Sequence, residues 1–178
     1  MSSARELYAV WRTIYALAEE KNSGPHLHVV LVLVENDRRY VLIQEAMPER
    51  GHPWYIPAGV IEPGESIVQA VKRETLEEAG LIVEPRCLLR IEHLIPQGQD
   101  QQRPRAELWR FVVVAEPTGG TLKTGRDEHS LQARWFRPEE LHGLKLRSHD
   151  MVELIEMHRR GAPTLPIDAY VSSVAPLY

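Results

Sequence analysis

The sequence predicts a mixed α/β domain, in which a mixed β-sheet is packed by helices. Strand-like runs and helical periods both occur along the chain, but without the strict strand–helix–strand alternation of an all-parallel sheet. The chain has 178 residues, 43% of them hydrophobic and 26% charged. That length and composition are typical of one soluble domain with its own core.

The first elements follow from hydrophobic periodicity and turn signals. Residues 3–21 carry an apolar stripe at helical spacing, and "NSGP" ends this predicted helix. The runs "HLHVVLVLVE" and "RYVLIQEA", separated by "NDRR", predict a β-hairpin. The first run is apolar almost throughout, which is typical of a strand covered on both faces.

A loop and a second helix follow the hairpin. "GHPWYIPAG" reads as a strand interrupted by prolines, and Pro63-Gly64 is a turn signal. A helix begins near Ser66, where Gln69 completes a possible capping box, and ends at Gly80. The remaining predicted elements are strands at about 86–95, 107–115 and 131–136, a short helix after Pro138 and a helix over 150–160. We therefore divide the chain into an N-terminal helical extension (1–24), a central domain (25–162) and a C-terminal tail (163–178).

Composition and charge limit the binding partners and the cellular compartment that we expect for this protein. The formal net charge of -4 gives no electrostatic footprint for nucleic acid or an anionic membrane. Cys87 is the only cysteine, so no internal disulfide can form, and a reducing compartment fits. The N-terminal residues lack the uninterrupted apolar core of an export signal, and the aliphatic run Val29 to Val34 is too short to span a bilayer. We expect a cytoplasmic protein.

Three glutamates crowd the end of the second predicted helix: Glu74, Glu77 and Glu78 in "RETLEEAGL". A helix C-terminus carries partial negative charge, so each carboxylate there costs a few tenths up to about 1 kcal/mol. Glu74 and Glu78 are also like charges four residues apart. The three side chains share an arc of roughly 100° of the helix surface. Because Mg²⁺ takes oxygen ligands, a divalent cation is the expected partner for them.

A longer motif contains these glutamates. From Gly59 the chain reads "GVIEPGESIVQAVKRETLEEAGL", which follows the spacing G-x5-E-x7-R-E-U-x-E-E-x-G-U, where U is aliphatic. Eight of the nine specified positions match, and Thr75 is the departure. This is the Nudix box, and the chain therefore resembles the Nudix hydrolases (MutT-like). The resemblance implies an α/β/α sandwich with a mixed sheet, in which the box forms a loop–helix–loop.

The resemblance also implies a chemistry and a metal site. Nudix hydrolases are Mg²⁺- or Mn²⁺-dependent pyrophosphatases that cleave the diphosphate of a nucleoside diphosphate joined to another group. By position in the box, Glu74, Glu77 and Glu78 match the metal-binding glutamates. The carbonyl group of Gly59 matches a backbone metal ligand of several family members.

Three further residues have expected roles near that site. Arg73 would orient a glutamate through a charge-assisted hydrogen bond. Glu65 is either a further outer ligand or an anchor between the loop and the helix. Family members take their general base from the box or from a later loop, so Glu74 and Glu128, in "GRDEHSLQARWF", are both candidates. Glu128 is slightly favoured, as base or as extra metal ligand.

Different parts of the sequence indicate two different substrates. "WYIPAGVIEPGE", "EPTGGTLKT", "LQARWF" and "LRSHD" resemble the animal branch that hydrolyses 8-oxoguanine nucleoside diphosphates to monophosphates. Pro96, fifteen residues after Leu81, has the spacing of many ADP-ribose pyrophosphatases. We expect a small-molecule nucleotide substrate, with the oxidised purine nucleoside diphosphate favoured and ADP-ribose as the alternative. A Nudix-fold binding module without catalysis is a further alternative, the residues that bind the base are not identified, and the family resemblance allows a homodimer.

Overall fold

The structure is a computed structural model that describes residues 26–95 and 107–173. The predicted N-terminal helix, and the segment that contains Pro96, lie outside the described residues. Within them, the strands are β1 (His26–Asn36), β2 (Arg39–Glu45), β3 (Trp54–Tyr55), β4 (Ala58–Val60), β5 (Leu81–Leu94), β6 (Glu107–Gly120), β7 (Ser130–Phe136) and β8 (Leu165–Pro166). The helices are α1 (Ile67–Ala79) and α2 (Asp150–Arg159), with short 3-10 helices at Pro48–Arg50, Pro138–Gly143 and Ile167–Ala169.

The strands form one mixed sheet, as predicted. Its order is β3-β2-β1-β6-β5-β8, with β4 paired to β1 and β7 paired to β2. β1 and β6 are parallel over nine residue pairs, whereas the pairs β1–β2, β1–β4 and β5–β6 are antiparallel. The predicted hairpin is confirmed by the pairing of Glu35 with Tyr40.

β1 forms the centre of the domain because both of its faces are covered. Val30, Val32 and Val34 belong to the core cluster under α1, and the intervening Leu31 and Leu33 belong to the cluster under α2. All five side chains are at most 1% exposed. The two-sided apolar run therefore produces an α/β/α sandwich, with the sheet between the two helices.

The helix of the box is α1, called the box helix below, and it begins and ends where the sequence predicts. Ser66 is the N-cap and forms the full capping box with Gln69. Gly80 ends the helix in the left-handed region, with φ of 74°. A Cβ atom at Gly80 would overlap the carbonyl oxygen of Thr121, so only glycine fits this close approach. Thr75, the residue that departs from the box pattern, is fully buried. Its hydroxyl donates to the carbonyl of Val71 at 2.8 Å, so the buried hydroxyl has a hydrogen-bond partner.

Two strands are longer than the sequence predicts. β5 begins at Leu81 rather than about 86, and β6 continues to Gly120 rather than 115. The turn at Gly80 places Leu81 directly opposite Gly120. Register shifts along β5 then accommodate Pro117 in the partner strand.

The segment after residue 163, predicted as a tail, contributes to the sheet. β8 pairs with β5 through Leu165 and Leu88. Beyond it, Tyr170 packs against the α1-side core, and its hydroxyl accepts a hydrogen bond from the backbone N–H of Ile67 at 3.3 Å. The segment thus covers the N-terminal end of the box helix. None of the described helices is long and apolar enough to cross a membrane.

A buried ionic network holds α2 against the sheet. Asp150, the first residue of α2, accepts a hydrogen bond from Arg110 at 2.6 Å and from the Tyr55 hydroxyl at 3.3 Å. Arg110 also donates to Glu92 at 2.5 Å, and only 4% of Arg110 is exposed. Burial, and next the Asp150 charge, raise the pKa of Tyr55, so its hydroxyl stays a donor. Asp150 therefore holds both Arg110 and Tyr55, and Arg110 in turn holds Glu92.

Replacing Asp150 by Ala should lower the free energy of unfolding by about 3–5 kcal/mol, because it leaves the Arg110 charge buried with one carboxylate fewer. Urea denaturation followed by circular dichroism measures the change. The matched control is Glu84→Ala, which breaks the exposed Lys72–Glu84 pair of 2.7 Å and should cost less than about 1 kcal/mol. A similar loss in both variants would contradict the prediction.

Candidate active site

The loop and the helix of the box meet at β4. A Cβ atom at Gly59 would overlap the carboxylate of Glu74, so glycine is required for that carboxylate to lie against the strand. One residue earlier, the backbone N–H of Ala58 donates to Glu78 at 2.9 Å. Two of the three predicted metal-binding carboxylates are thus fixed beside the backbone of β4.

Arg73 joins the two halves of the box. Its Nη1 lies 2.6 Å from Glu74 and 3.2 Å from Glu77. Its Nε and Nη2 each lie 2.8 Å from Glu65, and Nη2 also donates to the carbonyl of Val60 at 2.9 Å. The hydrogen bonds that Arg73 donates to Glu65, and next the one it donates to Glu74, raise the pKa of Arg73. This geometry agrees with the expected orienting role of Arg73. The contacts between Glu65 and Arg73 favour an anchor, rather than an outer metal ligand, as the role of Glu65.

The end of the box helix has protein partners as well. The ammonium group of Lys123 donates to the carbonyl of Glu77, and the Ser130 hydroxyl donates to the carbonyl of Glu78 at 2.6 Å. Lys123 also pairs with Asp127 at 2.6 Å, and this hydrogen bond lowers the pKa of Asp127 to about 2. Arg73 and Lys123 therefore offset part of the negative charge for which the sequence alone had indicated a metal ion.

The side chain of Glu78 is held by the backbone N–H of Ala58 and not by Arg73 or Lys123. Burial, and next the charge of Glu74, raise its pKa well above the ordinary value. The oxygen donors of Glu74, Glu77, Glu78 and the Gly59 carbonyl are of the type that a hard divalent cation binds. Within residues 26–95 and 107–173, no three acidic, histidine or cysteine side chains are arranged as they stand to hold a metal ion. The chemistry of this donor set suits such a cation, and in the structure two of its members, Glu74 and Glu77, are paired with Arg73.

Glu128 lies apart from this cluster. Its side chain is 87% exposed and 3.5 Å from the ring of His129. The loop that carries it is anchored at both ends, by Lys123 and Ser130, to the last turn of the box helix. Its place on this loop agrees with the sequence, and its role as base or extra ligand stays a prediction.

Sequence reasoning missed an ion pair beside Glu78. Arg147 donates to Glu45 at the end of β2, and its guanidinium lies 4.9 Å from the centre of the Tyr55 ring. The two side chains are only 9% and 8% exposed. Both charges act on Glu78: Glu45 raises its pKa and Arg147 lowers it. The backbone N–H of Arg147 donates to the carbonyl of Trp54 at 2.9 Å, and the backbone N–H of Trp54 donates to the carbonyl of Lys145 at 2.8 Å, which fixes this segment to β3.

This pair is incompletely hydrogen-bonded. Among the described residues, Glu45 Oε2 and Arg147 Nε are buried and have no hydrogen-bond partner. A buried polar atom left unpaired costs about 1–3 kcal/mol. Burial raises the pKa of Glu45, and the Arg147 charge opposes that rise.

An open groove borders the box on the α1 side. Its volume is about 660 Å³, and it is lined by His28, Phe111, Tyr170 and the anchor residue Glu65, among others. Glu65 thus connects the groove to Arg73 and the box glutamates.

The sandwich, with the box folded as a loop–helix–loop around clustered glutamates, is a Nudix domain, and the chain belongs to the Nudix family: residues 24–156 match the NUDIX domain. The chain is 46% identical to the 8-oxo-dGDP phosphatase NUDT18 of Mus musculus over 134 residues. This aligned region covers 73% of this chain and 38% of that protein. The Homo sapiens protein of the same name is 44% identical over 72% of this chain and 37% of that protein. The chain therefore spans less than half the length of these relatives. A solved NUDIX hydrolase from Nitrosomonas europaea superposes with a TM-score of 0.69 at 27% identity, over 83% of this chain and 97% of that chain.

The raised pKa of Glu78 predicts how stability depends on pH. A carboxyl group whose pKa is raised on folding contributes stability below its unfolded value, near 4.5, and this contribution is lost as pH rises through the folded value. In the presence of a chelator, Glu78→Gln should therefore raise the melting temperature more at pH 9 than at pH 5. Each kcal/mol recovered is worth about 2–4 °C.

Thermal unfolding of both proteins at the two pH values measures this difference. Glu84→Gln, which neutralises an exposed carboxylate, is the control and should show little difference between the two pH values. An equal gain at pH 5 and pH 9 would show that Glu78 is ionised without cost in the folded chain.

Proposed function

We propose that this chain is a Mg²⁺- or Mn²⁺-dependent Nudix hydrolase that converts an oxidised purine nucleoside diphosphate of the 8-oxo-dGDP type to its monophosphate and inorganic phosphate. The main observation behind this proposal is the complete set of box carboxylates, gathered around Gly59 and the Arg73 guanidinium. The 46% identity to a protein named 8-oxo-dGDP phosphatase supports the substrate class.

The proposed metal ligands are Glu74, Glu77, Glu78 and the carbonyl of Gly59. A divalent cation at this place supplies charge neutralisation of the diphosphate and a lowered pKa of bound water. Arg73 keeps Glu74 and Glu77 in position before the ligands assemble, since it lies within 3.2 Å of both. The backbone N–H of Ala58 fixes Glu78 in the same way. Positioning and fixed charge, rather than covalent chemistry, are the contribution of the protein.

The general base accepts a proton from the attacking water, whose oxygen bonds to phosphorus as the bridging P–O bond breaks. Glu74 is buried and paired with Arg73, which suits an anionic ligand better than a proton acceptor. Glu128 is exposed on a loop anchored to the helix end and keeps its carboxylate available. We therefore favour Glu128 as the base or an additional ligand, with Glu74 as the alternative.

Two other features agree with a catalytic protein acting on free nucleotides in the cytoplasm. No carboxylate of the box is replaced, whereas a silent binding module would be expected to have lost some of them. A single cysteine suits a reducing compartment. A homodimer stays a prediction from the family resemblance.

The double variant Glu77→Gln/Glu78→Gln should lose hydrolysis of 8-oxo-dGDP by several orders of magnitude, because it removes two charged ligands while conserving side-chain size. Chromatography of the products in the presence of Mg²⁺ measures the rate, with ADP-ribose as a parallel substrate. The matched control is Glu84→Gln/Glu116→Gln, which neutralises two carboxylates of exposed ion pairs.

Release of 8-oxo-dGMP by the wild-type chain and its loss in the double variant support the proposal. Preferential release of AMP from ADP-ribose would replace the substrate assignment and retain the hydrolase. Hydrolysis that survives in a folded double variant would exclude the box as the active site.

Comparison of Glu128→Gln with Glu74→Gln identifies the base. Loss of a general base typically reduces kcat by about 10²–10⁴-fold and removes the acidic limb of the pH–rate profile. We expect Glu128→Gln to remove that limb and Glu74→Gln to weaken Mn²⁺ binding, measured by calorimetry. The reverse assignment of the two effects would make Glu74 the base.

A further inference from the structure

We propose that Lys123 is a positioning residue for hydrolysis, because it fixes the segment that carries Glu128 to the acidic end of the box helix. That segment, residues 124–129 between β6 and β7, is called the Glu128 loop here. This inference rests on the proposed function and deepens it, since Lys123 acts through Glu128 and not on the substrate itself.

The ammonium group of Lys123 connects the box helix to the Glu128 loop. It donates to the backbone carbonyl of Glu77 in the last turn of the helix, and at 2.6 Å to the carboxylate of Asp127 in the loop. Only 14% of the Lys123 side chain is exposed. A mostly buried ammonium group with two oxygen acceptors holds its geometry better than an exposed ion pair does. One side chain thus contacts both the helix of the proposed metal ligands and the residue before Glu128.

The backbone of Lys123 is itself fixed, so the ammonium group extends from a rigid position. Its N–H donates to the carbonyl of Ala79 at 3.0 Å, and its carbonyl accepts from the N–H of Ala133 in β7 at 2.8 Å. Lys123 is therefore bonded to the end of the box helix on one side and to the sheet on the other. Because the lysine backbone is held on both sides, its ion pair restrains the loop.

Asp127 transmits this restraint to Glu128. Its Oδ2 binds Lys123, while its Oδ1 accepts from the backbone N–H groups of His129 and Ser130 at 2.9 and 3.0 Å. The backbone N–H of Asp127 also donates to the carbonyl of Ser130 at 3.0 Å. Glu128 lies inside this closed turn, so its backbone is fixed although its side chain is 87% exposed.

Ser130 provides the second anchor of the turn. Its fully buried side chain donates to the carbonyl of Glu78 at 2.6 Å. Lys123 and Ser130 thus bind the carbonyls of two consecutive residues, Glu77 and Glu78, whose side chains are proposed metal ligands. Glu128 is two residues from Ser130, a chain length of at most about 7 Å. These bonds therefore set the place of Glu128 relative to the acidic end of the helix.

A structural role for Lys123 predicts different behaviour. A cation at a helix C-terminus also offsets the helix dipole, and that effect on stability does not depend on Glu128. The contact with Asp127 lies outside the helix, however, and a catalytic group misplaced by about 1 Å can cost about 10²-fold in rate. A double-mutant cycle between Lys123 and Glu128 separates the two roles.

The first test compares Lys123→Met, Glu128→Gln and their combination, with kcat and KM measured for 8-oxo-dGDP in saturating Mg²⁺. Lys123→Met should lower kcat about 10- to 100-fold and leave KM nearly unchanged. In the Glu128→Gln background the same change should lower kcat less than about 2-fold, because Lys123 acts through Glu128. The matched control is Lys72→Met, which breaks the exposed Lys72–Glu84 pair on the same helix and should leave kcat unchanged in both backgrounds.

A second variant covers unfolding of Lys123→Met, whose side chain is mostly buried. Asp127 is 45% exposed, so Asp127→Asn should fold. The asparagine oxygen keeps the contacts with His129 and Ser130, but its amide group faces the Lys123 ammonium group and removes the ion pair. It should lower kcat in the same direction, and again only while Glu128 is present.

Hydrogen exchange measured by mass spectrometry separates this inference from the proposed function. Faster amide exchange of residues 127–130 in Lys123→Met, with protection of β1 retained, supports the restraint even if the wild-type chain hydrolyses no nucleotide. Unchanged exchange of residues 127–130 would overturn it. Equal falls in kcat with and without Glu128, or full kcat in Glu128→Gln, would also overturn it, since Lys123 would then act on the helix alone or the base would lie elsewhere.

Discussion

The hydrogen bonds of the Arg73 guanidinium are the interactions on which the acidic box of this domain depends. It contacts Glu65 and Val60 in the loop and Glu74 and Glu77 on the helix, so one side chain fixes the loop and the acidic helix face together. Without such a cation, carboxylates at a helix C-terminus would repel one another and the helix dipole. Among the described residues, the acidic cluster is therefore held together by the protein's own cation.

Local elements of this fold were predictable because their signals lie within a few residues of one another. The hairpin, the Ser66 capping box and the Gly80 helix end all follow from short spacings. The partners of the helix end were not predictable, since Lys123 and Ser130 reach Glu77 and Glu78 across 46 and 52 residues. Glu45 and Arg147 are separated by 102 residues, and no pattern in either segment indicates the other. Long-range electrostatics was thus the part that required a structure.

The two buried arginines illustrate different uses of the same chemistry. Arg110 connects α2 to the sheet through Asp150 and Glu92, and its surroundings leave nothing for a ligand to add. Arg147 lies at the other side of Tyr55 and is held by a single carboxylate. Tyr55 contacts both, because its hydroxyl donates to Asp150 and its ring lies under Arg147. The network around Arg110 therefore extends through Tyr55 to the Glu45–Arg147 pair.

The parallel pairing of β1 with β6 has a consequence for biosynthesis. Val30 pairs with Phe111, so the most apolar strand of the domain meets its main neighbour only after about eighty further residues have been made. At a synthesis rate of about 5–20 residues per second, several seconds pass between the synthesis of β1 and that of β6. During that time its hairpin partner β2 pairs with it only at its far end, at Glu35 and Asn36. The short strand β4 pairs with Val29 to Leu31 in the same interval, so the edge of β1 that later binds β6 is the one that the nascent chain leaves open to chaperones and to neighbouring chains.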